Sequence, residues 1–327
     1  MHSRAFGPEK RLVSEVGLGT WQIGGSWGAV EEKTAMEILE TAREQGITFF
    51  DTADVYGDGR SEQFIGKFLR SHSDDLFVAT KLGRGSDPGW PENFTKESMT
   101  LHTENSLSRL GLERLNLIQL HCIPTEVMRE GEVFDNLRDL QKQGKIEHFG
   151  ASVESVEEGL ICLQQEGLAS LQVIFNIYRQ KPIHELFAKA KEKNVSIIAR
   201  VPLASGLLSG KMTKSTVFDE GDHRNFNRDG AAFNVGETFA GVPFEKGVEL
   251  VEELAALTPE GMSLAQMALR WILDFDAVTV VIPGASRPSQ VKSNASISSL
   301  DPLSPELHKK LKNFYEEKVA QHIRGPY

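Results

Sequence analysis

The chain has 327 residues, 40% hydrophobic and 25% charged, a composition typical of a globular protein rather than a disordered one. Acidic residues outnumber Lys and Arg by 46 to 36, giving a net charge of −10. This balance, with no clustered basic run, argues against a nucleic-acid partner. No apolar stretch approaches the ~20 residues of a membrane span, and residues 1–20 lack the apolar core of a secretory signal. We therefore expect no membrane partner and a cytoplasmic location.

The two cysteines, Cys122 and Cys162, are too few and too far apart for a disulfide scaffold, and they lack CxxC spacing. We expect buried free thiols in a reducing compartment.

The chain begins with two short β-like runs around Gly7-Pro8, which predict a small hairpin over residues 4–15. From there, short apolar runs alternate with segments of helical spacing. The predicted strands are 16–20, 47–50, 76–80, 115–120, 146–150, 171–175, 196–199 and 278–282. The predicted helices are 31–44, one from residue 62 capped by Ser61, 95–110, 133–143, 156–165, 183–193, 244–257, 263–272, 288–295 and 305–319. The polar segment 205–241 is predicted to fold as a loop over one face.

Eight strands, each followed by a helical stretch, favour a closed (β/α)8 TIM barrel of the α/β class over an open doubly wound sheet. We expect residues 1–327 to form a single domain of this kind, preceded by the short N-terminal hairpin. A Rossmann domain lacks its fingerprint, because Gly17-Leu18-Gly19 is not followed by the remaining glycine.

Polar residues end three successive predicted strands. Asp51, Lys81 and His121 occupy these positions, and Tyr56 lies in the loop after the first. Taken singly, each has an ordinary structural explanation: a turn cap, a solvated lysine, a core histidine or a packed tyrosine. In a barrel, however, these strand ends converge on one face. The repeated position therefore favours one catalytic site over four unrelated residues.

The chemistry available to this set is specific. A tyrosine normally titrates near ~10, and a nearby ammonium lowers its pKa by favouring phenolate. Tyr56 could therefore act as a general acid toward a carbonyl oxygen, with Lys81 tuning it and Asp51 holding Lys81. His121 could donate a hydrogen bond that orients the carbonyl. A metal site fits worse, since one histidine, one carboxylate and a lysine make a poor zinc shell and no HExxH appears.

These residues stand in the motifs GITFFDTADVYG, FVATK and LIQLHC. Together with VSEVGLGTWQIGG near the N-terminus, GLLSGK from Gly206 to Lys211, and VIPGASRPSQVKSNA near the C-terminus, they resemble the aldo-keto reductases. The resemblance spans about residues 13–295. It implies a (β/α)8 barrel that binds NADPH without a Rossmann domain, and hydride transfer to a small aldehyde or ketone. The catalytic tetrad that it implies is Asp51, Tyr56, Lys81 and His121.

The resemblance also implies how the cofactor is held. Ser152 and Gln172 would bind the nicotinamide carboxamide, and the stretch 284–287 would surround the adenosine phosphate. Arg287 lies just before a predicted helix, where amide donors and a guanidinium both suit a 2′-phosphate. The full set implied for the cofactor is Gly19, Thr20, Trp21, Asp51, Ser152, Gln172, Arg200, Pro202, Leu203, Gly206, Leu208, Lys211, Ile282, Gly284, Ser286, Arg287, Gln290 and Asn294.

The sequence departs from the family pattern at three places. Val153 follows Ser152 where an asparagine is usual. Arg200 replaces the aromatic residue that commonly stacks on the nicotinamide, and we expect it to bind a phosphate or a carboxylate instead. Gly284 stands where many NADPH-preferring relatives carry a lysine. The preference for NADP(H) therefore rests on Ser286 and Arg287, and use of NAD(H) stays open.

The substrate is less well defined. Trp21, Trp27, Trp90 and Phe94 could form an apolar wall on the open face. In the segment 205–241, expected to close over the cofactor, Arg224 and Arg228 could meet the pyrophosphate.

Three other functions remain open at this point. One is a cofactor-sensing regulatory subunit of the same fold, and another is an NAD-dependent sugar or polyol dehydrogenase. The third is a barrel lyase or aldolase that forms a Schiff base at Lys81. Which carbonyl compound is used, the physiological direction and the oligomeric state are also open.

Overall fold

An antiparallel hairpin precedes the main sheet in the computed structural model, which describes residues 1–25 and 30–327. Strand β1 (Ser3–Phe6) pairs with β2 (Arg11–Ser14), as predicted for residues 4–15. The buried Phe6 ring lies 4.7 Å from the ring of Phe77, inside the main sheet. The hairpin therefore covers the amino-terminal end of that sheet with apolar side chains.

The main sheet consists of eight parallel strands in sequential order, as the alternating pattern predicted. They are β3 (Leu18–Gly19), β4 (Phe49–Asp51), β5 (Phe77–Leu82), β6 (Leu115–His121), β7 (Ile146–Ser152), β8 (Leu168–Ile174), β9 (Ser196–Arg200) and β10 (Val278–Val281). The sheet closes on itself, because parallel bridges join Val16 to Val281 and Gly19 to Gly284. The result is the expected (β/α)8 barrel.

Thirteen α-helices are found in the described part of the chain. They are α1 (Trp21–Gly24), α2 (Glu32–Glu44), α3 (Arg60–Arg70), α4 (Lys96–Leu110), α5 (Thr125–Glu130), α6 (Glu132–Lys142), α7 (Val156–Cys162), α8 (Leu186–Glu192), α9 (His223–Phe226), α10 (Phe244–Ala255), α11 (Leu264–Leu273), α12 (Pro288–Ser296) and α13 (Pro305–Phe314). Side-chain caps fix several starts: Thr95 accepts from the Ser98 amide, and Ser155 and Ser263 form capping boxes. None of the described helices combines the length and apolar character needed to cross a bilayer.

The structure corrects some predicted details. Ser61 does not cap α3, because the left-handed Gly59 precedes the first helical residue, Arg60. The Ser61 hydroxyl instead donates to Thr20 Oγ1 at 2.8 Å inside the fold. The first strand is shorter than 16–20, and the helix predicted at 183–193 begins at Leu186 after a separate turn. The segment 205–241 contains α9 and several short turns rather than loop alone.

Side chains alternate between the two faces of each barrel strand. On β5, Phe77 and Ala79 belong to the apolar cluster inside the barrel, while Val78 packs outward against the helices. The same alternation places Lys81 inside, at the carboxyl end of the strand. On β4 it aligns Asp51 with the inward Phe49. The sequence alternation thus directs both polar residues to the open end of the barrel interior.

Candidate active site

Lys81 lies at the centre of the polar site at the carboxyl end of the barrel. Its side chain is 1% exposed. The Nζ atom donates to Asp51 Oδ1 at 2.6 Å, to the Thr52 carbonyl at 2.7 Å and to the Tyr56 hydroxyl at 3.2 Å. Burial alone would lower the pKa of Lys81, but the Asp51 carboxylate and Tyr56 outweigh it and hold that pKa above its ordinary value. Lys81 is therefore a fixed ammonium.

Asp51 is itself held by two amide side chains. Gln172 Nε2 donates to Asp51 Oδ2 at 2.7 Å, and Gln119 Nε2 reaches the same oxygen at 3.4 Å. Gln119 is a site residue that the sequence analysis missed. The available signal was its position two residues before His121 on β6, which places both side chains on the same face.

Tyr56 has a pKa above its ordinary value, contrary to the sequence-based expectation of a lowered one. Removal of the phenol from water raises the pKa, and this effect exceeds the lowering by Lys81. Lys81 does lower the pKa of Tyr56, as expected, but by less than burial raises it. Tyr56 is therefore a protonated phenol at neutral pH. The Lys81 ammonium is placed to stabilise the phenolate that forms when the proton leaves.

His121 is a neutral imidazole. Burial, with the positive charges of Arg84, Lys81 and Arg200, holds its pKa well below the ordinary value. Its ring meets the Tyr56 ring edge to face at a centroid distance of 5.9 Å. A neutral imidazole can donate a hydrogen bond without competing with Tyr56 as the acid.

A groove of about 300 Å³ begins at Tyr56 and His121 and extends to the N-terminus of α12. Most residues expected at the cofactor line it, namely Gly19, Thr20, Trp21, Asp51, Ser152, Gln172, Arg200, Pro202, Leu203, Gly206, Lys211, Ile282, Gly284, Ser286, Arg287 and Gln290. Two do not: Leu208 is fully buried in the core, and the Asn294 amide donates to the Gly284 carbonyl at 3.4 Å.

The end of the groove at α12 suits an anion. Arg287 is exposed and immediately precedes Pro288, the first residue of that helix. The Ser286 amide and hydroxyl both donate to Gln290 Oε1, at 2.7 and 3.1 Å. A Cβ at Gly284 would lie 2.0 Å from Gln22 Oε1, so Gln22 takes the space that a lysine there would need. These residues fit a phosphorylated dinucleotide with Arg287 as the principal cation at this end.

A second cavity, of about 730 Å³, opens on the other side of Tyr56 and His121, a size typical of small-molecule sites. Trp21 and Trp90 line it, as expected, and Phe94 packs behind Trp90 at a ring distance of 5.8 Å. Trp27 lies outside the described residues. Phe226 and Phe233, from the segment 205–241, complete the aromatic wall.

The segment 205–241 lines both cavities. Arg224 borders the groove and donates to Asp222. Arg228 instead packs over the Phe244 ring at 4.9 Å and does not line the groove. Of the two arginines predicted to meet the pyrophosphate, Arg224 thus borders the groove and Arg228 does not, and the contact of Arg224 with a pyrophosphate stays a prediction.

Arg200 lines the groove and also takes part in a largely buried ion-pair cluster. Its Nη1 lies 3.7 Å from Glu237 Oε1, the carboxylate contact that the sequence analysis allowed for. Arg84 Nη2 donates to the same Glu237 oxygen at 3.1 Å and to Glu154 Oε1 at 3.0 Å. Arg84 and Glu237 are residues that the sequence analysis missed, because no motif marks them.

Both cysteines are buried and unpaired, as expected. In the described part of the chain, Cys122, Glu154 and Glu237 have ligand atoms within 4.8 Å of one another, close enough to consider a metal. Both carboxylates are already bonded to Arg84, and a guanidinium in that position repels a cation.

Comparison with known proteins identifies the family. A family model described as the aldo/keto reductase family matches residues 15–316. The chain belongs to the aldo/keto reductase family. Membership makes it an enzyme of an oxidoreductase family and agrees with the barrel and with the resemblance seen in the sequence.

Named relatives of this aldo/keto reductase cover most of its length. The chain is 30% identical to aldo-keto reductase YhdN of Bacillus subtilis over 324 residues, 96% of this chain and 93% of that protein. It is 31% identical to L-glyceraldehyde 3-phosphate reductase of Escherichia coli, over 90% of this chain and 86% of that protein. The solved glycerol dehydrogenase AKR11B4 of Gluconobacter oxydans is similar with a TM-score of 0.77 and 28% identity, covering 99% of this chain and 97% of that one.

Proposed function

We propose that this aldo/keto reductase reduces a small aldehyde or ketone to the alcohol with NADPH, and that Tyr56 supplies the proton. The observation that carries the proposal is the buried contact of Lys81 with both Asp51 and the Tyr56 hydroxyl, at the boundary between the groove and the second cavity. The family and the anion-binding end of the groove support NADP(H) as the cofactor.

Each residue of the site has a distinct task in this reaction. NADPH, when bound, supplies the hydride. Tyr56 gives its hydroxyl proton to the carbonyl oxygen, and the Lys81 ammonium, 3.2 Å from that hydroxyl, stabilises the phenolate left behind. Asp51 keeps Lys81 charged and in place. The neutral His121 donates to the carbonyl oxygen and so stabilises the charge that develops there.

The structure weighs against a Schiff base at Lys81. Such chemistry needs a neutral amine, whereas the pKa of Lys81 is held above its ordinary value and the Nζ atom already has three partners. The proposed catalytic set is complete, with Asp51, Tyr56, Lys81 and His121 all present. This favours catalytic turnover over cofactor sensing alone. A polyol as the substrate in the oxidative direction stays a second candidate, supported by the similarity to a glycerol dehydrogenase.

The direct test is NADPH consumption with a panel of small aldehydes and ketones, glyceraldehyde included, and NADP⁺ reduction with glycerol. Turnover of at least one carbonyl at rates typical of enzymes supports the proposal. Tight binding of NADPH without turnover of any compound would favour the regulatory function instead.

We expect opposite pH profiles for the two directions. The pKa of Tyr56 is raised, so the protonated phenol needed for reduction is present through neutral pH and is lost only as pH rises through that pKa. Reduction should therefore stay level from about pH 6 to 9 and fall in the alkaline range, while alcohol oxidation, which needs the phenolate, should rise there. Steady-state kcat in both directions checks this. A fall in reduction between pH 6 and 8 would assign the acid to another group.

Replacement of Arg287 by alanine should weaken NADPH binding by roughly tenfold or more and leave NADH binding unchanged, because only NADPH carries the 2′-phosphate. Quenching of the four tryptophans reports both affinities. Lys292→Ala is the matched control, since Lys292 is an exposed cation of α12, the helix that begins next to Arg287, and does not line the groove. Equal weakening of both cofactors by Arg287→Ala would place the 2′-phosphate elsewhere.

A further inference from the structure

Glu237 lies at the boundary between the groove and the second cavity, as do two of the residues proposed for catalysis. Among the described residues, only Trp21, Tyr56, His121 and Glu237 line both the groove and the second cavity. Glu237 lies in the segment 205–241 and is 6% exposed. A carboxylate at this junction stands close to the place where the substrate carbonyl must meet the hydride donor.

The charge of Glu237 is balanced by two arginines. Arg84 donates to it at 3.1 Å, and Arg200 Nη1 lies 3.7 Å away. Burial alone would raise the pKa of Glu237, but the two guanidinium groups outweigh it and hold that pKa below the ordinary value. Glu154 is the second partner of Arg84, at 3.0 Å. Two cations and two carboxylates therefore form a cluster without net charge.

The walls of the second cavity add further negative charge. Glu158 lines it as well, with its Oε1 atom accepting from the Thr125 hydroxyl at 2.8 Å. The charged residues that line this cavity in the described part of the chain are thus Arg84 against Glu154, Glu158 and Glu237. Among the residues that the structure describes, no unpaired cation lines this cavity.

We propose that Glu237 sets which substrate charge the enzyme accepts: by neutralising Arg84, which lines the second cavity, and Arg200, which lines the adjoining groove, it favours uncharged carbonyl compounds over those that carry a carboxylate or phosphate. This inference rests on the proposed reductase function and adds the substrate class. An anionic substrate would have to draw Arg84 away from Glu237, whose side chain is 8% exposed, and weakening the pairing of a buried carboxylate is costly. An uncharged aldehyde leaves the cluster intact.

The test uses two aldehydes of similar shape, 4-carboxybenzaldehyde and its methyl ester, methyl 4-formylbenzoate. The wild-type enzyme should have the higher kcat/KM for the ester. Glu237→Gln removes one negative charge and takes a carboxylate partner from both arginines, so the ratio of kcat/KM for ester over acid should fall by about tenfold or more. Glu154→Gln takes a carboxylate partner from Arg84 alone and should lower the ratio less. Glu237→Asp keeps the charge and should retain the preference for the ester.

Glu157→Gln is the matched control, because Glu157 is exposed, three residues from Glu154, and paired with Arg129 outside both cavities. It should leave the ratio unchanged. An unchanged ratio in Glu237→Gln, or an equal loss of activity on both aldehydes, would overturn the proposal and leave Glu237 a purely structural residue. If Glu237→Gln does not fold, Glu154→Gln carries the test by the same criterion.

Failure of the proposed function is recognisable separately. If the wild-type enzyme reduces neither aldehyde, the reductase assignment fails for this class of compound. The charge preference is then read from binding of the same two aldehydes, followed by tryptophan fluorescence. Tighter binding of the acid than of the ester by the wild type would overturn the inference, and a shift toward the acid in Glu237→Gln would support it.

Discussion

Replacing Tyr56 with phenylalanine should reduce carbonyl turnover by about 100-fold to 10,000-fold, the usual contribution of a positioned general acid. The change removes only the hydroxyl that receives the Lys81 hydrogen bond at 3.2 Å. The aromatic ring stays and can keep its edge-to-face contact with His121. Cofactor affinity should therefore change by less than about threefold. Single-turnover consumption of NADPH measures the chemical step, and tryptophan quenching measures binding.

Tyr315→Phe provides the control for this substitution. Its hydroxyl bonds to that of Tyr327, and neither cavity at the proposed active site includes it. The same chemical change there should leave turnover normal. Substantial reduction by the Tyr56→Phe enzyme, at the wild-type rate within tenfold, would mean that another group or water delivers the proton.

Replacing Lys81 with methionine should impair both turnover and stability. Asp51 is almost fully buried, and Lys81 is its ion-pair partner at 2.6 Å. Loss of one partner of a buried pair leaves an uncompensated charge, which costs about 3–5 kcal/mol of unfolding free energy. Turnover should fall together with stability, because Tyr56 loses the ammonium that stabilises its phenolate. Urea unfolding and steady-state kinetics of the same preparation give both values.

The double variant Asp51→Asn/Lys81→Met separates these two effects. It removes the unpaired charge. An asparagine at position 51 can still accept hydrogen bonds from Gln172 and Gln119, which bind the Asp51 carboxylate in the wild type. Most of the lost stability should return, since no buried charge remains. Turnover should stay low because the ammonium is still missing. Recovery of activity along with stability would show that Lys81 has only a structural role.

The barrel could be predicted from the sequence because its signals are local. Apolar strands and amphipathic helices alternate along the chain, so each element can be recognised from a short run of consecutive residues. The short helices α1 and α5, of four and six residues, were missed because they contain too few residues for a repeat to show. Ser61 was misplaced as a cap because the left-handed Gly59 governs where α3 starts.

The four residues Asp51, Tyr56, Lys81 and His121 were also identifiable from the sequence, since strand-end positions in a parallel barrel converge and the motifs are distinctive. What the sequence did not reveal are contacts between residues far apart in the chain that no motif connects. Gln119 holds Asp51 across 68 positions, and Glu237 reaches Arg84 across 153.

The order of residues along the chain thus predicted the fold, the residues proposed for catalysis and most of the residues that line the groove. Only the folded molecule decided the electrostatics of the site. The pKa of Tyr56 depends on how completely the phenol leaves water as well as on the nearby ammonium, and burial proved the larger effect. Likewise, the positive charges that Arg84 and Arg200 present to a substrate are reduced by the carboxylates of Glu154 and Glu237, which pair with them. Desolvation and charge pairing are properties of neighbours in space, and local sequence patterns do not record them.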